Sequence, residues 1–542
     1  MNVFFMIIIY LFIFYYVALI SKRSLHMLQQ NAYNENNRYL KWIFKNLKEV
    51  IRLDLLNIIL IINLYKLVSL SSKSKLALFL LTANYLLIIL TYYLSIKVYK
   101  TKEKSFQNKK PYVRTKRVKR MIFTIFVINI VPFILFFFFN EINMLLVSAL
   151  LTSFNFILIY LVNIINKPVE KIIFLHFKRQ AKNKLKSMSN LKVIGITGSY
   201  GKTTCKNVLQ SIMNDSFNSM ATKKSFNTLN GLMICINNDL SKYDEVFIAE
   251  MGAYKRGDIK ALCKLVKPKY GIITSIGLAH LATFGSEENI IKGKMELVEN
   301  LEDGGVAVLN YDDLKQRNYE IKNKNISTLW IGLDNKKLDV TASNIKSNKD
   351  GLTFDVYFKG DKNKYTFKTR LLGKHNIYNI LGSLALANYF KIDKTQMIKS
   401  VYRLKSVEHR LELKDFKYFY QIDDAYNANP VGASNALDVL DLMPGEKIVV
   451  TPGMIELGAK TYEENKKFGE KIASVADKVI LVGKEITKPI KDGLIEKGYK
   501  EKNIYIIEDV KESYDTIRKW NASGKKEIYA LYENDLPDLY IK

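Results

Sequence analysis

Long apolar runs dominate the first third of the chain. They fall near residues 3–21, 53–70, 77–97, 121–139 and 144–165, and the first of them reads NVFFMIIIYLFIFYYVALI. About 20 consecutive apolar residues are what an α-helix needs to cross the hydrocarbon core of a bilayer. The second run is the weakest, because Asp54 and Lys66 interrupt it. The pattern predicts an α-helical membrane region over residues 1–185, with about five transmembrane helices.

The charges between these runs predict how the helices are oriented. Residues 22–52 carry seven Lys and Arg residues, the segment 97–120 carries many more, and residues 140–143 carry none. Cytoplasmic loops are the ones enriched in Lys and Arg, so this arrangement places the amino terminus outside and everything after about residue 166 inside. We expect a multi-pass membrane protein whose later domains lie in the cytoplasm. Ionisable residues are scarce within the runs, which favours an anchor or docking surface over a transport path.

From about residue 186 the pattern changes to short apolar runs that alternate with helical stretches. LKVIGIT, EVFIAEM, YGIITSIG and VAVLN are typical of buried parallel strands. Residues 327–371 interrupt the alternation with runs typical of antiparallel edge strands, and a second α/β set follows. The fold class predicted is therefore a helical membrane region followed by α/β, with a central domain over residues 186–402 and a Rossmann-like domain over residues 403–542.

Composition adds little to this picture. The hydrophobic fraction is 48% and the formal net charge is +30. The charge permits a nucleic-acid partner, but Lys-rich loops beside an anionic leaflet explain it as well, and no nucleic-acid-binding module accompanies it. We therefore expect no nucleic acid as a partner. Cys205, Cys235 and Cys263 lack the spacing of a metal site or a disulfide and fit a reducing compartment.

The stretch ITGSYGKTTCKNVLQSI, residues 196–212, predicts a nucleotide site. It places a glycine loop between a buried strand and a helix, where backbone amides and the helix N-terminus bind phosphate. The full G-x-x-x-x-G-K-[ST] pattern is not met, because Ile196 stands where its first glycine would be. Lys202 would reach the terminal phosphates of a nucleotide and Thr203 would bind magnesium. The predicted phosphate-binding residues are Gly198, Ser199, Gly201, Lys202, Thr203 and Thr204.

Three further residues lie where a parallel sheet would bring them near this loop. Glu250 closes one strand, and His280 follows another. Lys294 falls on the apolar stripe of its helix, between Ile291 and Val298, and an inward lysine is costly unless it is neutralised or paired. Each also has a structural explanation: a capping or ion-paired glutamate, a hydrogen-bonded loop histidine, a lysine whose stem alone is buried. Together with a phosphate loop they favour a metal–phosphate site.

Six motifs in order resemble the Mur ligase family. They are ITGSYGKTT, AEMGA, SIGLAHLATFGSEENIIKGKMEL, LLGKHNIYN, EHRLE and DDAYNANP, which lie within residues 190–460. Within the family they are most similar to the ligases that add D-alanyl-D-alanine. The resemblance implies ATP-dependent amide formation, in which the γ-phosphate passes to a carboxylate and an amine then attacks the acyl phosphate. The partners it implies are a cell-wall precursor with a free carboxylate and an amino acid or dipeptide amine.

The resemblance also assigns roles to residues. It implies catalytic roles for Lys202, Lys294, Glu250 and His280, and magnesium ligation, at two ions, by Thr203, Glu250, His280 and a carbamylated Lys294. His375 and Asn376 would lie near the nucleotide, and Arg410 and Asp424 would close over ATP from the last domain.

The chain departs from the family at both ends. Soluble members begin with a small domain that binds the UDP-sugar, and the membrane region stands in its place here. YALYENDLPDLYIK stands where a Lys-Gly-Ser-Arg stretch is usual, and Gly453 replaces a usual aspartate. These departures suggest a lipid-linked cell-wall precursor as substrate and membrane lipids as partners. A membrane-anchored poly-amino-acid synthetase, an energy-coupling membrane ATPase and a catalytically silent scaffold remain alternatives.

Overall fold

The computed structural model describes residues 2–71, 74–103, 111–223, 226–426, 428–455, 457 and 460–534. The chain divides into two compact units, Met1–His176 and Phe177–Lys542. Parts of the sequence singled out above lie outside the described residues: 104–110 of the basic segment, Asn427 of DDAYNANP, and 535–542 of the carboxyl-terminal stretch.

The first unit is helical. Its helices are α1 (Asn2–Gln30), α2 (Arg38–Lys45), α3 (Leu47–Val50), α4 (Leu56–Ser71), α5 (Lys75–Glu103), α6 (Lys116–Leu135), α7 (Glu141–Ser153) and α8 (Asn155–Lys186), the last of which continues into the second unit. Short 3₁₀ turns at Ala32–Asn37 and Leu53–Leu55 join some of them. By length and composition, four helical stretches could cross a membrane: Val3–Gln30, Leu53–Leu70, Lys75–Glu103 and Lys116–Leu135.

The fifth predicted span, residues 144–165, is not one straight helix. It falls on α7 and α8, which are bent by 88° at Phe154 and count as a fifth span only if the pair is taken together. Arg52 stabilises this break, because its Nη2 donates to the carbonyl oxygens of Thr152 (2.8 Å) and Ser153 (3.1 Å) at the end of α7. The last carbonyl groups of a helix lack intrahelical partners, and Arg52 supplies a donor to these two.

The charge of Arg52 is balanced within the same unit. Its Nε lies 3.1 Å from Asp54 Oδ1, which also accepts a hydrogen bond from the Tyr16 hydroxyl. Asp54 is fully buried. Meanwhile large apolar side chains such as Phe79, Phe123 and Phe138 face outward. The unit therefore exposes large apolar side chains on its surface and encloses a small polar cluster within its apolar core.

The second unit contains two sheets. The first has nine strands in the order β2-β3-β1-β4-β5-β6-β7-β8-β9, parallel as far as β7 and antiparallel from β7 to β9. The strands are β1 (Lys192–Thr197), β2 (Ser219–Ala221), β3 (Val246–Glu250), β4 (Tyr270–Ile273), β5 (Gly305–Asn310), β6 (Ile326–Leu333), β7 (Val340–Asn348), β8 (Gly351–Phe358) and β9 (Tyr365–Thr369). The antiparallel edge strands predicted within residues 327–371 are confirmed at β8 and β9.

Helices cover both faces of this sheet. They are α9 (Lys202–Met213), α10 (Leu229–Asn238), α11 (Asp258–Val266), α12 (Leu281–Phe284), α13 (Glu287–Glu299), α14 (Leu314–Arg317), α15 (His375–Tyr389) and α16 (Lys394–Tyr402). The central strand β1 is a continuous apolar run because it is buried on both faces. The buried face of α9, including Val208 and Leu209, packs into the same core as α15. This packing fixes the loop between β1 and α9.

The second sheet has six strands in the order β10-β11-β15-β12-β13-β14, of which only the β10–β11 pair is antiparallel. Its strands are β10 (Glu412–Phe416), β11 (Phe419–Asp424), β12 (Glu446–Thr451), β13 (Lys478–Val482), β14 (Ile504–Ile507) and β15 (Ile528–Glu533). The helices beside them are α17 (Pro430–Asp441), α18 (Thr461–Ala473), α19 (Lys488–Glu496) and α20 (Lys511–Trp520), with a 3₁₀ turn at Glu501–Asn503. The α/β part of the fold prediction is confirmed.

Candidate active site

The loop between β1 and α9 leaves no room for side chains at its two glycines. A Cβ on Gly198 would lie 2.0 Å from Thr274 Oγ1, and one on Gly201 would lie 2.5 Å from Asn379 Oδ1. Gly201 also has φ +80°, a conformation that favours glycine. The loop is thus held tightly against its neighbours, with its backbone free to approach a ligand.

Ser199 fixes the loop to the segment after β4. Its Oγ donates to the Gly277 carbonyl and accepts from the Gly277 N–H, both at 2.9 Å, while its own N–H donates to the Ser275 carbonyl at 2.6 Å. Thr203 and Thr204 occupy the first turn of α9. The backbone N–H groups and the dipole at a helix N-terminus attract anions. The predicted phosphate-loop residues therefore lie together.

Lys202 is folded back onto this loop. Its Nζ donates to the carbonyl oxygens of Gly198 (2.8 Å) and Ser199 (3.2 Å). Burial lowers the pKa of Lys202 to about 8, with Glu250 opposing this shift and Arg410 adding to it. The ammonium group thus lies over the loop, where it would donate hydrogen bonds to the phosphate oxygens of a nucleotide.

Glu250 lies next to the loop because β1 and β3 are neighbouring parallel strands that pair Ile196 with Glu250. It is 1% exposed. Its Oε1 accepts a hydrogen bond from Asn227 Nδ2 at 3.1 Å, and its Oε2 lies 3.2 Å from Lys206 Nζ. That ion pair lacks hydrogen-bond geometry, and among the described residues Oε2 has no hydrogen-bond donor.

Sequence reasoning missed Lys206 and Asn227. Lys206 could have been found, because it follows Lys202 by one helical turn and lies on the same buried face as Leu209 and Met213. Asn227 lies between β2 and α10 and carries no comparable periodic signal.

Lys294 is buried in α13, as its place on the apolar stripe predicts. It is 1% exposed, its Nζ donates to the Ala253 carbonyl at 3.4 Å, and it lies 5.4 Å from the centroid of the Phe284 ring. Burial lowers the pKa of Lys294 well below its ordinary value, and the positive charge of Lys202 lowers it further. Burial thus favours the neutral amine of Lys294, which lies in the electrostatic range of Lys202.

His280 caps the short helix α12 in a left-handed conformation, φ +60°, and its ring lies 4.5 Å from that of Tyr254, centroid to centroid. Among the described residues, no three or more His, Cys, Asp or Glu side chains group closely enough to hold a metal ion. The predicted metal set contains only two such residues, Glu250 and His280, so their ligand roles stay a prediction.

His375 and Asn376 begin α15 beside the loop. Asn376 Nδ2 donates to the Leu372 carbonyl, and its Oδ1 accepts from Asn379, the residue that contacts Gly201. Burial, with a contribution from Arg410, lowers the pKa of His375 to about 4. His375 is therefore neutral at physiological pH.

Arg410 lies just before β10, and Asp424 lies in β11 of the second sheet. The Arg410 guanidinium stacks on the Tyr426 ring, 4.3 Å from its centroid. Asp424 ends β11, and its Oδ1 accepts from the Leu411 N–H at 3.2 Å. Burial raises the pKa of Asp424 to about 6, against the opposing charge of Arg410. Since Arg410 also affects Lys202 and His375, the structure brings groups from both sheets into one electrostatic environment.

These residues fit a magnesium nucleotide. The glycine loop leaves no space for a Cβ at Gly198 or Gly201, Lys202 lies over the loop, and beside it Glu250 Oε2 has no hydrogen-bond donor among the described residues. Oxygen ligands of this kind suit Mg²⁺.

Comparisons with known proteins agree with this geometry. The family described as the Mur ligase middle domain matches residues 196–387, and the family described as the Mur ligase, glutamate ligase domain, matches residues 409–526. The UDP-N-acetylmuramoyl-tripeptide–D-alanyl-D-alanine ligase of Bacillus subtilis is 32% identical over 298 residues, which are 54% of this chain and 63% of that protein. The protein with the same name from Buchnera aphidicola subsp. Acyrthosiphon pisum is 30% identical, over 57% of this chain and 69% of its own length.

Solved structures show the same fold. The MurF ligase of Thermotoga maritima in complex with ADP is 26% identical, has a TM-score of 0.59, and is matched over 68% of this chain and 81% of its own. The alignment with the Bacillus subtilis protein spans less than two thirds of that protein's length. Matches of this extent, together with the two family domains, show that the chain belongs to the Mur ligase family.

Proposed function

We propose that this protein is an ATP-dependent acid–amino-acid ligase of the bacterial cytoplasmic membrane. The observation that carries the proposal is the convergence of Lys202, the buried Lys294 and the buried carboxylate of Glu250 beside one glycine loop. Phosphoryl transfer depends on such positioning and charge neutralisation.

Each predicted residue has a place in this proposal. The loop amides, Lys202 and the α9 N-terminus would bind the ATP phosphates, and Mg²⁺ would neutralise the charge that develops on them. Asn376 holds Asn379 against Gly201 and so supports the loop, while His375 stands beside it as a neutral imidazole. Arg410 and Asp424 would approach the nucleotide from the second sheet. The metal ligands proposed are Thr203, Glu250, His280 and Lys294.

The proposed reaction has two steps. A carboxylate oxygen of the donor attacks the γ-phosphorus, the bond to the β-phosphate oxygen breaks, and ADP leaves an acyl phosphate behind. The acceptor amine then attacks the acyl carbon, loses a proton, and expels inorganic phosphate as the amide forms. Lys202 would neutralise the charge that accumulates on the transferred group.

Lys294 is proposed to act as a carbamate. Its amine, once deprotonated, could attack CO₂, form an N–C bond and lose one proton, so that an anion replaces a buried amine. This carbamate would lie in the field of Lys202, which already affects Lys294. A buried ammonium group carries a large desolvation cost, and carbamylation would replace it with an anion that can bind a metal ion.

The proposed substrates are those stated in the names of the similar proteins. A UDP-N-acetylmuramoyl-tripeptide would be the donor and D-alanyl-D-alanine the acceptor. The helical first unit supports a refinement, because four of its helical stretches are long and apolar enough to cross a membrane. We propose that the donor is the lipid-linked form of the precursor, which reaches the enzyme within the bilayer.

The test is a reaction in detergent or nanodiscs with ATP, Mg²⁺ and bicarbonate. Donors with a UDP or a lipid carrier are each tried with and without D-alanyl-D-alanine, and phosphate release and the mass of the product are measured. Lys202→Met is the inactive variant, and Lys264→Met, an exposed lysine on α11, is its matched control.

The outcomes separate the alternatives. Phosphate release that needs both substrates and yields an amide supports the ligase, and a preference for the lipid-linked donor supports the refinement. Equal use of the soluble UDP donor contradicts the refinement alone. Release without any donor favours an energy-coupling ATPase, and repeated amide addition to a growing product favours a poly-amino-acid synthetase.

A further inference from the structure

A buried lysine that the reaction does not use lies directly behind the phosphate loop. Lys206 follows Lys202 by one turn of α9 and is 2% exposed. Its Nζ lies 3.2 Å from Glu250 Oε2. Two opposite charges are thus enclosed together at the carboxyl end of β3.

Glu250 is held from its other sides as well. Asn227 Nδ2 donates to Oε1 at 3.1 Å, and the Glu250 N–H donates to Thr222 Oγ1 at 3.1 Å. Asn227 is fixed in turn, because its carbonyl accepts from the Gly252 N–H at 2.7 Å. The carboxylate therefore has one orientation before any ligand arrives.

The pair has little value for stability as such. Burying two charges costs desolvation, and a well-packed apolar pair of the same volume is often at least as stable. An unpaired buried carboxylate, by contrast, is strongly destabilising. A buried pair in which Glu250 Oε2 has no hydrogen-bond donor among the described residues, beside a phosphate loop, is therefore better explained by what Glu250 binds.

We propose that Lys206 is a positioning residue that holds the Glu250 carboxylate in place when no divalent cation is bound, and limits how tightly that cation binds. The inference rests on the proposed role of Glu250 as a metal ligand. Lys206 compensates the carboxylate charge in the empty site. Once a cation binds Oε2, the two positive charges repel each other, so Lys206 weakens the complex.

The test measures binding of Mn²⁺ alone, without nucleotide, to the full-length protein in detergent. In Lys206→Met, removal of the competing positive charge is expected to tighten Mn²⁺ binding by about tenfold or more. The thermal midpoint of this variant falls without metal, because Glu250 is left unpaired, and Mn²⁺ restores it to a larger extent than in the wild type. Lys264→Met, the exposed control, changes neither quantity.

Two further variants identify the cause. Lys206→Arg keeps the charge and is expected to retain wild-type stability and weak Mn²⁺ binding. Lys206→Met with Glu250→Gln removes both charges, so it is expected to recover the thermal midpoint and to lose Mn²⁺ binding. This double variant also keeps the test usable if Lys206→Met alone does not fold.

Unchanged Mn²⁺ binding in Lys206→Met, or a stability loss that Glu250→Gln does not repair, would overturn the inference. The measurement needs no ATP and no substrate, so it can succeed where the ligase assay fails. Conversely, a working ligase with unaltered Mn²⁺ binding in Lys206→Met contradicts the role of Lys206 alone.

Discussion

Asp424 and Glu533 lie opposite each other at the carboxyl ends of the adjacent parallel strands β11 and β15. Glu533 is 1% exposed, and burial together with the neighbouring Asp424 raises its pKa well above the ordinary value. Burial also raises the pKa of Asp424 to about 6. Two carboxyl groups thus share a site that can hold only part of their combined negative charge.

This pair makes folding stability depend on pH. The folded state binds more protons than the unfolded state between the ordinary carboxyl pKa and the raised values, so stability falls as pH rises through about 6. Glu533→Gln removes one acid and is expected to stabilise the protein at pH 8 by about 1–3 kcal/mol, with little gain at pH 4.5. Thermal unfolding at a series of pH values measures the difference. An equal gain in the free energy of unfolding at both pH values would contradict the raised pKa values of this carboxyl pair.

The tight fit of the phosphate loop predicts a difference between two glycines. Gly201 (φ +80°) and Gly498 (φ +74°) have similar backbone conformations, but a Cβ meets Asn379 at Gly201 and nothing within 4 Å at Gly498. Alanine at either site is expected to cost about 1–2 kcal/mol for the left-handed conformation. Only Gly201→Ala should also weaken binding of an ATP analogue, because the new methyl group would clash with Asn379 and displace the phosphate loop. Calorimetric titration of both variants checks this, and equal affinities would show that the loop tolerates a side chain.

Sequence patterns predicted those features of the fold and the candidate site that depend on residues close to each other along the chain. The strand, loop and helix around Lys202 follow from a buried apolar run, two glycines and the helical period, and all are local. The inward position of Lys294 follows from the same period in α13. Glu250 could be placed near the loop because parallel strands end at one edge of their sheet.

Features that depend on distant partners could not be predicted. Lys206 and Glu250 are 44 positions apart, and nothing in either segment identifies the other as its partner. Asp424 meets Glu533 only because the last strand inserts between β11 and β12, an order that no local pattern specifies. The bend at Phe154 contains no proline or glycine, while Pro168 lies within the continuous helix α8. An apolar run therefore predicted one span where the helix is broken.

The break between α7 and α8 leads to a prediction about the first unit. Arg52→Met leaves two carbonyl groups at the end of α7 without their donor and leaves Asp54 buried without its counter-charge. The expected loss is about 3–5 kcal/mol. Adding Asp54→Asn removes the lone charge and should recover most of this loss, whereas Arg114→Met, at an exposed position, should have no effect. Thermal unfolding in detergent compares the variants, and an additive double variant would show that the two side chains do not interact.

The last prediction concerns the chemical state of Lys294. Because burial lowers the pKa of Lys294 well below its ordinary value, its amine loses its proton more readily than that of an exposed lysine and is better able to react with CO₂. Protein incubated with ¹³C-bicarbonate is expected to give a carbamate signal in the ¹³C NMR spectrum. Lys294→Met should abolish this signal without lowering the thermal midpoint, since an apolar side chain replaces a buried amine. Lys292, exposed on the same helix and paired with Glu288, provides the control, so Lys292→Met should keep the signal. A signal that survives Lys294→Met would place the carbamate elsewhere and leave the buried amine as a simple hydrogen-bond donor to Ala253.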